Sequence, residues 1–209
     1  MKAFDPVAIV GIGCISAAGD TLAACMDSLF RGVRNPAPPA NTTPDSRHRM
    51  PVFQIRSDFY PSHRLHRRHR LRTCQLALTA ALEALDDAGM ERDVLRRCRT
   101  GICLGTNVGS SMNNETFYQD RPEGCDPYIP PSHRFLISNP AVSIAEEFDT
   151  SGPCQTVVNA CSAGSDAIGL AASWIRSGAC DLVITGGPDE FNQVTYAGLK
   201  SLVFEEYTP

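Results

Sequence analysis

The chain has 209 residues, 43% hydrophobic and 20% charged, enough to bury a core as one large domain or two small ones. Its net charge of -4 excludes whole-molecule attraction to nucleic acid or an anionic membrane, so any electrostatic partner must be met by a local patch. No apolar stretch approaches the roughly 18 residues needed to span a bilayer and the N-terminal run lacks a signal h-region, so a cytoplasmic location is expected.

The apolar run over residues 7–13 predicts a fully buried strand, followed by a helix over 22–30 that Asp20 or Thr21 caps and Gly32 closes. Residues 34–62 carry six prolines among polar residues, a composition that resists regular structure and reads as a long surface excursion. Between 71 and 90 apolar residues recur at helical spacing, with Glu83, Asp86 and Asp87 elsewhere on the wheel and Gly89 as the stop. Residues 100–106 predict a second buried strand. Residues 119–134 form another loop-rich stretch, after which Ser138 or Asn139, followed by Pro140, starts a helix reaching Phe148. A third strand at 155–158 leads to a helix from Ser162 to about Arg176, ended by Gly178, and a fourth strand follows at 181–185. Strands alternating with helices predict an α/β fold with a largely parallel sheet. The small residues Ala163, Gly164, Ala167, Gly169, Ala171 and Ala172 suit the third helix to close packing on both sides.

Cys161 stands where the third strand meets that helix, in Asn159-Ala160-Cys161-Ser162-Ala163-Gly164. A thiol on a sharp strand-to-helix turn feels the positive end of the helix dipole, and neighbouring backbone N–H groups can face a developing oxyanion. The chemistry this suggests is acyl transfer. Asp166, one turn into the helix, reads as a charge complement to the helix start or a buried hydrogen-bond acceptor rather than a catalytic acid.

The other eight of the nine cysteines are scattered and free of CxxC pairs, so they read as small buried hydrophobes and neither a disulfide framework nor a zinc site is expected. Gly11-Ile12-Gly13 after the first strand invites a dinucleotide reading, but Ser16 stands where glycine or alanine is required and no acidic residue ends a second strand about 20 residues on. Five arginines between 64 and 72 interleave with His63, His66 and His69; the arginines would repel a cation, so the run suits an acidic partner better than a metal. A cysteine hydrolase would need a histidine base brought to Cys161, and all five histidines lie upstream in loop or arginine-rich segments.

Val10-Gly11-Ile12-Gly13 with Ser16 and Gly19, Leu104-Gly105-Thr106-Asn107-Val108-Gly109, the Asn139-Pro140 helix start, the Cys161 segment and Asp181-Leu182-Val183-Ile184-Thr185-Gly186-Gly187 together resemble the β-ketoacyl-acyl-carrier-protein synthases. The resemblance runs from about residue 7 to the end, excluding the proline-rich excursion. It implies the N-terminal half of a thiolase-like fold, a mostly parallel mixed sheet with helices on both faces, with the half's last strand missing and the whole chain one incomplete domain. It further implies that Cys161 takes an acyl chain from a phosphopantetheine thioester and that its backbone N–H supplies half of the oxyanion hole. The family's condensation step uses two histidines and a lysine in its second half, which match nothing here, so this chain alone is not expected to condense acyl and malonyl units. By the same resemblance Arg67, Arg68 and Arg70 would dock the acidic acyl carrier protein, and Ser110, Ser111 and Asn113 would line an acyl or pantetheine channel. No cofactor or metal is expected. The expected assembly is a homodimer, or a complex with a chain carrying the C-terminal half. The alternative is a non-catalytic or chain-length partner subunit, against which the retained Cys161 speaks, since the family's chain-length partners usually replace that cysteine. Pro188 departs from the family, which usually has alanine there.

Overall fold

Three parallel strands carry the architecture: β1 (Thr100–Thr106), β2 (Cys154–Val158) and β3 (Leu182–Gly186), in the order β2-β1-β3. The computed structural model describes residues 5–39, 50–55, 72–107 and 139–204. Ile102 is opposite Cys154 on one side and Ile184 on the other. Among the described residues the α-helices are α1 (Leu22–Phe30), α2 (Arg72–Asp87), α3 (Arg92–Arg97), α4 (Pro140–Phe148), α5 (Ala163–Arg176) and α6 (Gln193–Phe204).

Alternation along the central strand divides the core in two. Ile102 and Leu104 face Leu78, Leu85, Leu95, Ile144 and Phe148 of α2, α3 and α4, with Leu182 and Ile184 of β3 packed on the same cluster. Cys103 faces the other way, against Ala167 and Ala171 of α5, together with Val157, Trp174 and Val183. Helices therefore cover both faces of the sheet, as expected. At two helix starts the caps follow the sequence: Thr21 Oγ1 accepts the N–H of Ala24 to start α1, and Asn139 Oδ1 accepts that of Val142 to start α4, whose first residue is Pro140. Asn139 Oδ1 also accepts the Thr156 hydroxyl at 2.6 Å, which ties α4 to β2.

The N-terminal run corrects the expected first strand. Residues 7–13 form no ladder, and Ile9, Val10 and Ile12 are 77%, 56% and 51% exposed. Their backbone is instead laid along α2. The N–H of Ile12 is accepted by Asp87 Oδ2 at 2.9 Å and that of Cys14 by Glu83 Oε2 at 2.8 Å, so donors that a strand partner would take are spent on carboxylates one helical turn apart. A Cβ at Gly11 would sit 2.0 Å from Ala84 O and one at Gly13 1.9 Å from Ala80 O, so only glycine allows this approach.

Two further expectations are corrected. On α5 the buried residues are Ala163, Ala167 and Ala171, while Ser165, Asp166, Ile168 and Gly169 are exposed; among the described residues it packs on one side, toward the sheet. The strand β2 is an edge strand, so Cys154 is exposed rather than buried. Cys25, Cys74, Cys103 and Cys180 are buried as anticipated, Cys14 and Cys98 are half-buried, and Cys125 lies outside the described residues. The described ends of the proline-rich excursion meet in an isolated antiparallel bridge between Ala37 and Val52.

Candidate active site

The carboxyl ends of the three strands meet at the start of α5, just past Cys161. After β2 the chain turns through Asn159 into a single 3-10 turn, Ala160–Ser162, and then directly into α5. Ala160 has φ 44°, a left-handed conformation that costs an L residue with a Cβ roughly 1–2 kcal/mol. Such strain persists only where neighbouring contacts hold it. Cys161 itself is exposed.

Three glycines bring this turn close to the strand ends. A Cβ at Gly105 of β1 would lie 2.1 Å from Ala163 O, and one at Gly187, just past β3, would lie 3.3 Å from Gly105 O and 3.4 Å from Gly164 Cα. The start of α5 thus rests on bare backbone at the ends of β1 and β3. Past Gly187, Pro188 is buried and Asp189 turns back: its Oδ1 accepts the Thr106 hydroxyl at 2.7 Å and the N–H of Asn107 at 3.0 Å. Glu190 accepts the hydroxyl of Thr73 at 3.0 Å, fastening the same loop to α2.

Asp166 is exposed, not a buried acceptor, and its partners are specific. Its Oδ2 accepts Asn159 Nδ2 at 2.6 Å and Ser162 Oγ at 3.0 Å, while Ser162 Oγ also lies 3.1 Å from the Asn159 carbonyl. Two residues flanking Cys161 are therefore held by one carboxylate oxygen.

Several thiols elsewhere in the fold are held toward the neutral form. Burial first, then Cys25 at 3.7 Å, pushes Cys14 up to about 11. Burial first, then Cys154, does the same for Cys103. Cys180, a buried thiol, is also raised, chiefly by burial. Thiols held neutral in this way are poor nucleophiles.

Of the residues singled out from sequence, Cys161 is placed at the strand ends. Arg67, Arg68, Arg70, Ser110, Ser111, Asn113 and all five histidines lie outside the described residues. Sequence reasoning missed Asn159 and Asp189. The Asn159-to-Asp166 spacing across a strand-to-helix junction was a usable signal for the first pair. For Asp189, a Gly-Gly-Pro turn followed by an acid after a strand was the only hint. No group of three or more potential metal ligands occurs among the described residues, and none of their helices is long and apolar enough to cross a membrane.

Residues 4–203 match the family described as Beta-ketoacyl synthase, N-terminal domain. Among curated relatives, the chain is 29% identical to 3-oxoacyl-(acyl-carrier-protein) synthase 2 of a Synechocystis species, covering 93% of this chain and 48% of that protein. It is 32% identical to the Putative polyketide beta-ketoacyl synthase 1 of Streptomyces halstedii, covering 88% and 46%. The chain thus spans about half the length of the curated relatives it matches. Among solved structures, the ishigamide ketosynthase/chain length factor superposes with a TM-score of 0.81 at 26% identity, covering 93% of this chain and 50% of that one.

Proposed function

Since the chain belongs to the β-ketoacyl synthase family, whose N-terminal domain it carries, we propose that Cys161 is the acyl-accepting nucleophile of a ketosynthase working in fatty acid or polyketide synthesis. The observation that carries this reading is an exposed cysteine on a strained turn between a parallel strand and a helix start. The Cys161 thiolate attacks the thioester carbonyl, backbone N–H groups of the turn receive the oxyanion, and a new S–acyl bond forms as the donor's C–S bond breaks. The donor leaves as a thiol carrying the proton equivalent that Cys161 gave up. Decarboxylation and condensation require groups this chain does not contribute from its matched motifs, so a C-terminal half, on the same polypeptide or another, completes the reaction.

The acidic acyl carrier protein is the proposed donor, delivering the phosphopantetheine-linked chain. Arg67, Arg68 and Arg70 are its proposed docking patch, acting mainly on the association rate. Ser110, Ser111 and Asn113 are proposed to line the channel. A homodimer in the cytoplasm is the proposed assembly, supported by the position of β2 at the sheet edge and by Val158, which is 58% exposed there.

A second reading, a partner subunit of a ketosynthase heterodimer, is favoured by the likeness to a ketosynthase/chain length factor pair. The cysteine at 161 speaks for the first. Incubation with an acyl thioester followed by peptide mass spectrometry separates them. Acyl mass on Cys161, lost in Cys161→Ala, is expected; a native protein with no adduct would leave the non-catalytic subunit as the better reading.

A further inference from the structure

Asp166 grips both flanks of the cysteine turn. Its Oδ2 accepts from Asn159, two residues before Cys161, and from Ser162, one residue after it. Between those anchors sits Ala160 in its left-handed conformation. A hydrogen bond to a charged acceptor is among the stronger kinds, and two of them close a ring across the turn from one helical position. Asp166 is fixed in turn by α5, whose first turn rests on the backbone of Gly105 and Gly187. The hydrogen bonds of this exposed carboxylate go to Asn159 and Ser162 rather than to the thiol, so it acts on Cys161 through the turn it holds.

We propose that Asp166 is a positioning residue for acyl transfer: it holds the Asn159–Ser162 turn so that the backbone N–H groups beside Cys161 face the carbonyl oxygen of an incoming thioester. This deepens the nucleophile reading and rests on it. The geometry makes two kinds of reaction at the same sulfur respond differently. Acylation by a thioester develops an oxyanion and needs the turn's N–H groups in place. Alkylation by iodoacetamide displaces iodide, develops no oxyanion, and needs only an exposed thiol.

The test measures both rates at Cys161 by peptide mass spectrometry on the whole chain, with an acyl-N-acetylcysteamine thioester as the acyl donor. In Asp166→Ala the acylation rate is expected to fall roughly tenfold, inside the hundredfold that an ångström of misplacement can cost, while alkylation stays within about twofold. Asp166→Asn keeps an amide oxygen that can occupy the place of Oδ2 and should restore most of the acylation rate. Asn159→Ala removes the other end of the 2.6 Å bond from an exposed position before the helix, and serves equally if the Asp166→Ala chain does not fold. The double variant should then be no slower than either single one. Equal losses in both reactions, an unchanged acylation rate, or an Asn variant as slow as Ala would overturn the proposal. Absence of acylation in the native chain would instead overturn the nucleophile reading itself.

Discussion

Glu83 on α2 accepts the backbone N–H of Cys14 at 2.8 Å, across 69 residues of sequence. Its second oxygen accepts the N–H of Leu22 at 2.7 Å, the first residue of α1. One carboxylate therefore fastens both the N-terminal segment and the start of the first helix to α2. Replacing Glu83 by Gln turns one acceptor into a donor that faces an N–H group. A hydrogen bond to a charged group contributes about 1.5–3 kcal/mol, so Glu83→Gln should destabilise the fold by about 2 kcal/mol. A lower urea midpoint with an unchanged m-value is the expected result.

Gly105 carries a heavier constraint. A methyl group there would come within 2.1 Å of Ala163 O and 2.2 Å of Ala163 C, and neither is the yielding end of a side chain. Gly105→Ala must push α5 off β1 and is expected to cost about 3 kcal/mol, the upper end of ordinary overpacking. For a chain of this size the melting temperature should drop by roughly 6–12 °C. The fraction still folded should acylate Cys161 more slowly, because the displaced helix start carries the turn with it.

The pair formed by Arg99 and Asp181 governs an acid-sensitive joint. Arg99 Nη2 meets Asp181 Oδ1 at 2.6 Å and Arg99 Nε meets Oδ2 at 3.0 Å, linking the residues just before β1 and β3. Hydrogen bonds from the Arg99 side chain, then from its backbone, hold the Asp181 carboxyl down at about 2 instead of its ordinary 3.8. A folded-state value below the unfolded one means the contribution is complete above about 3.8 and disappears as pH falls toward 2. Both side chains are largely solvated, so the effect is modest. In acid titrations of stability, Asp181→Asn should flatten the slope between about pH 4 and pH 2 relative to the native chain.

Thiol labelling as a function of pH gives a fourth check. With Cys14 and Cys103 pushed up to about 11, their alkylation in the folded protein should be negligible at pH 7 and rise through the alkaline range. Replacing Cys25 by alanine removes the neighbouring sulfur at 3.7 Å that adds to the effect of burial on Cys14. In Cys25→Ala the labelling onset of Cys14 should therefore move to lower pH.

What the sequence made legible were the features whose causes are local. The leucine and alanine spacing of α2, the Thr21 and Asn139 caps, and three of the strands depend on neighbours a few residues away, and they fall within a residue or two of the observed bounds. Residues 7–13 failed for the opposite reason. Apolar residues punctuated by glycine suit a strand and equally an extended segment laid on a helix, and the choice was made by Glu83 and Asp87 far along the chain. Two helices went unread. α3 has six residues and no side-chain cap, too short to show a period, and α6 carries Gly198 in its interior. At the candidate site, the Cys161 turn was legible from its small residues. The part of Asp166 was not, because whether an acid in a first turn reaches back past the helix start is decided by its rotamer.

Ala160 imposes a rule on variation that has nothing to do with chemistry. With φ at 44°, the position beside Cys161 should accept glycine and asparagine and reject valine, isoleucine and threonine, whose branched Cβ clashes in that region. A saturation library at this codon would show a narrow alphabet dictated by backbone shape alone. Intolerance beside a nucleophile can thus be a steric signature, and substrate contact need not be invoked to explain it.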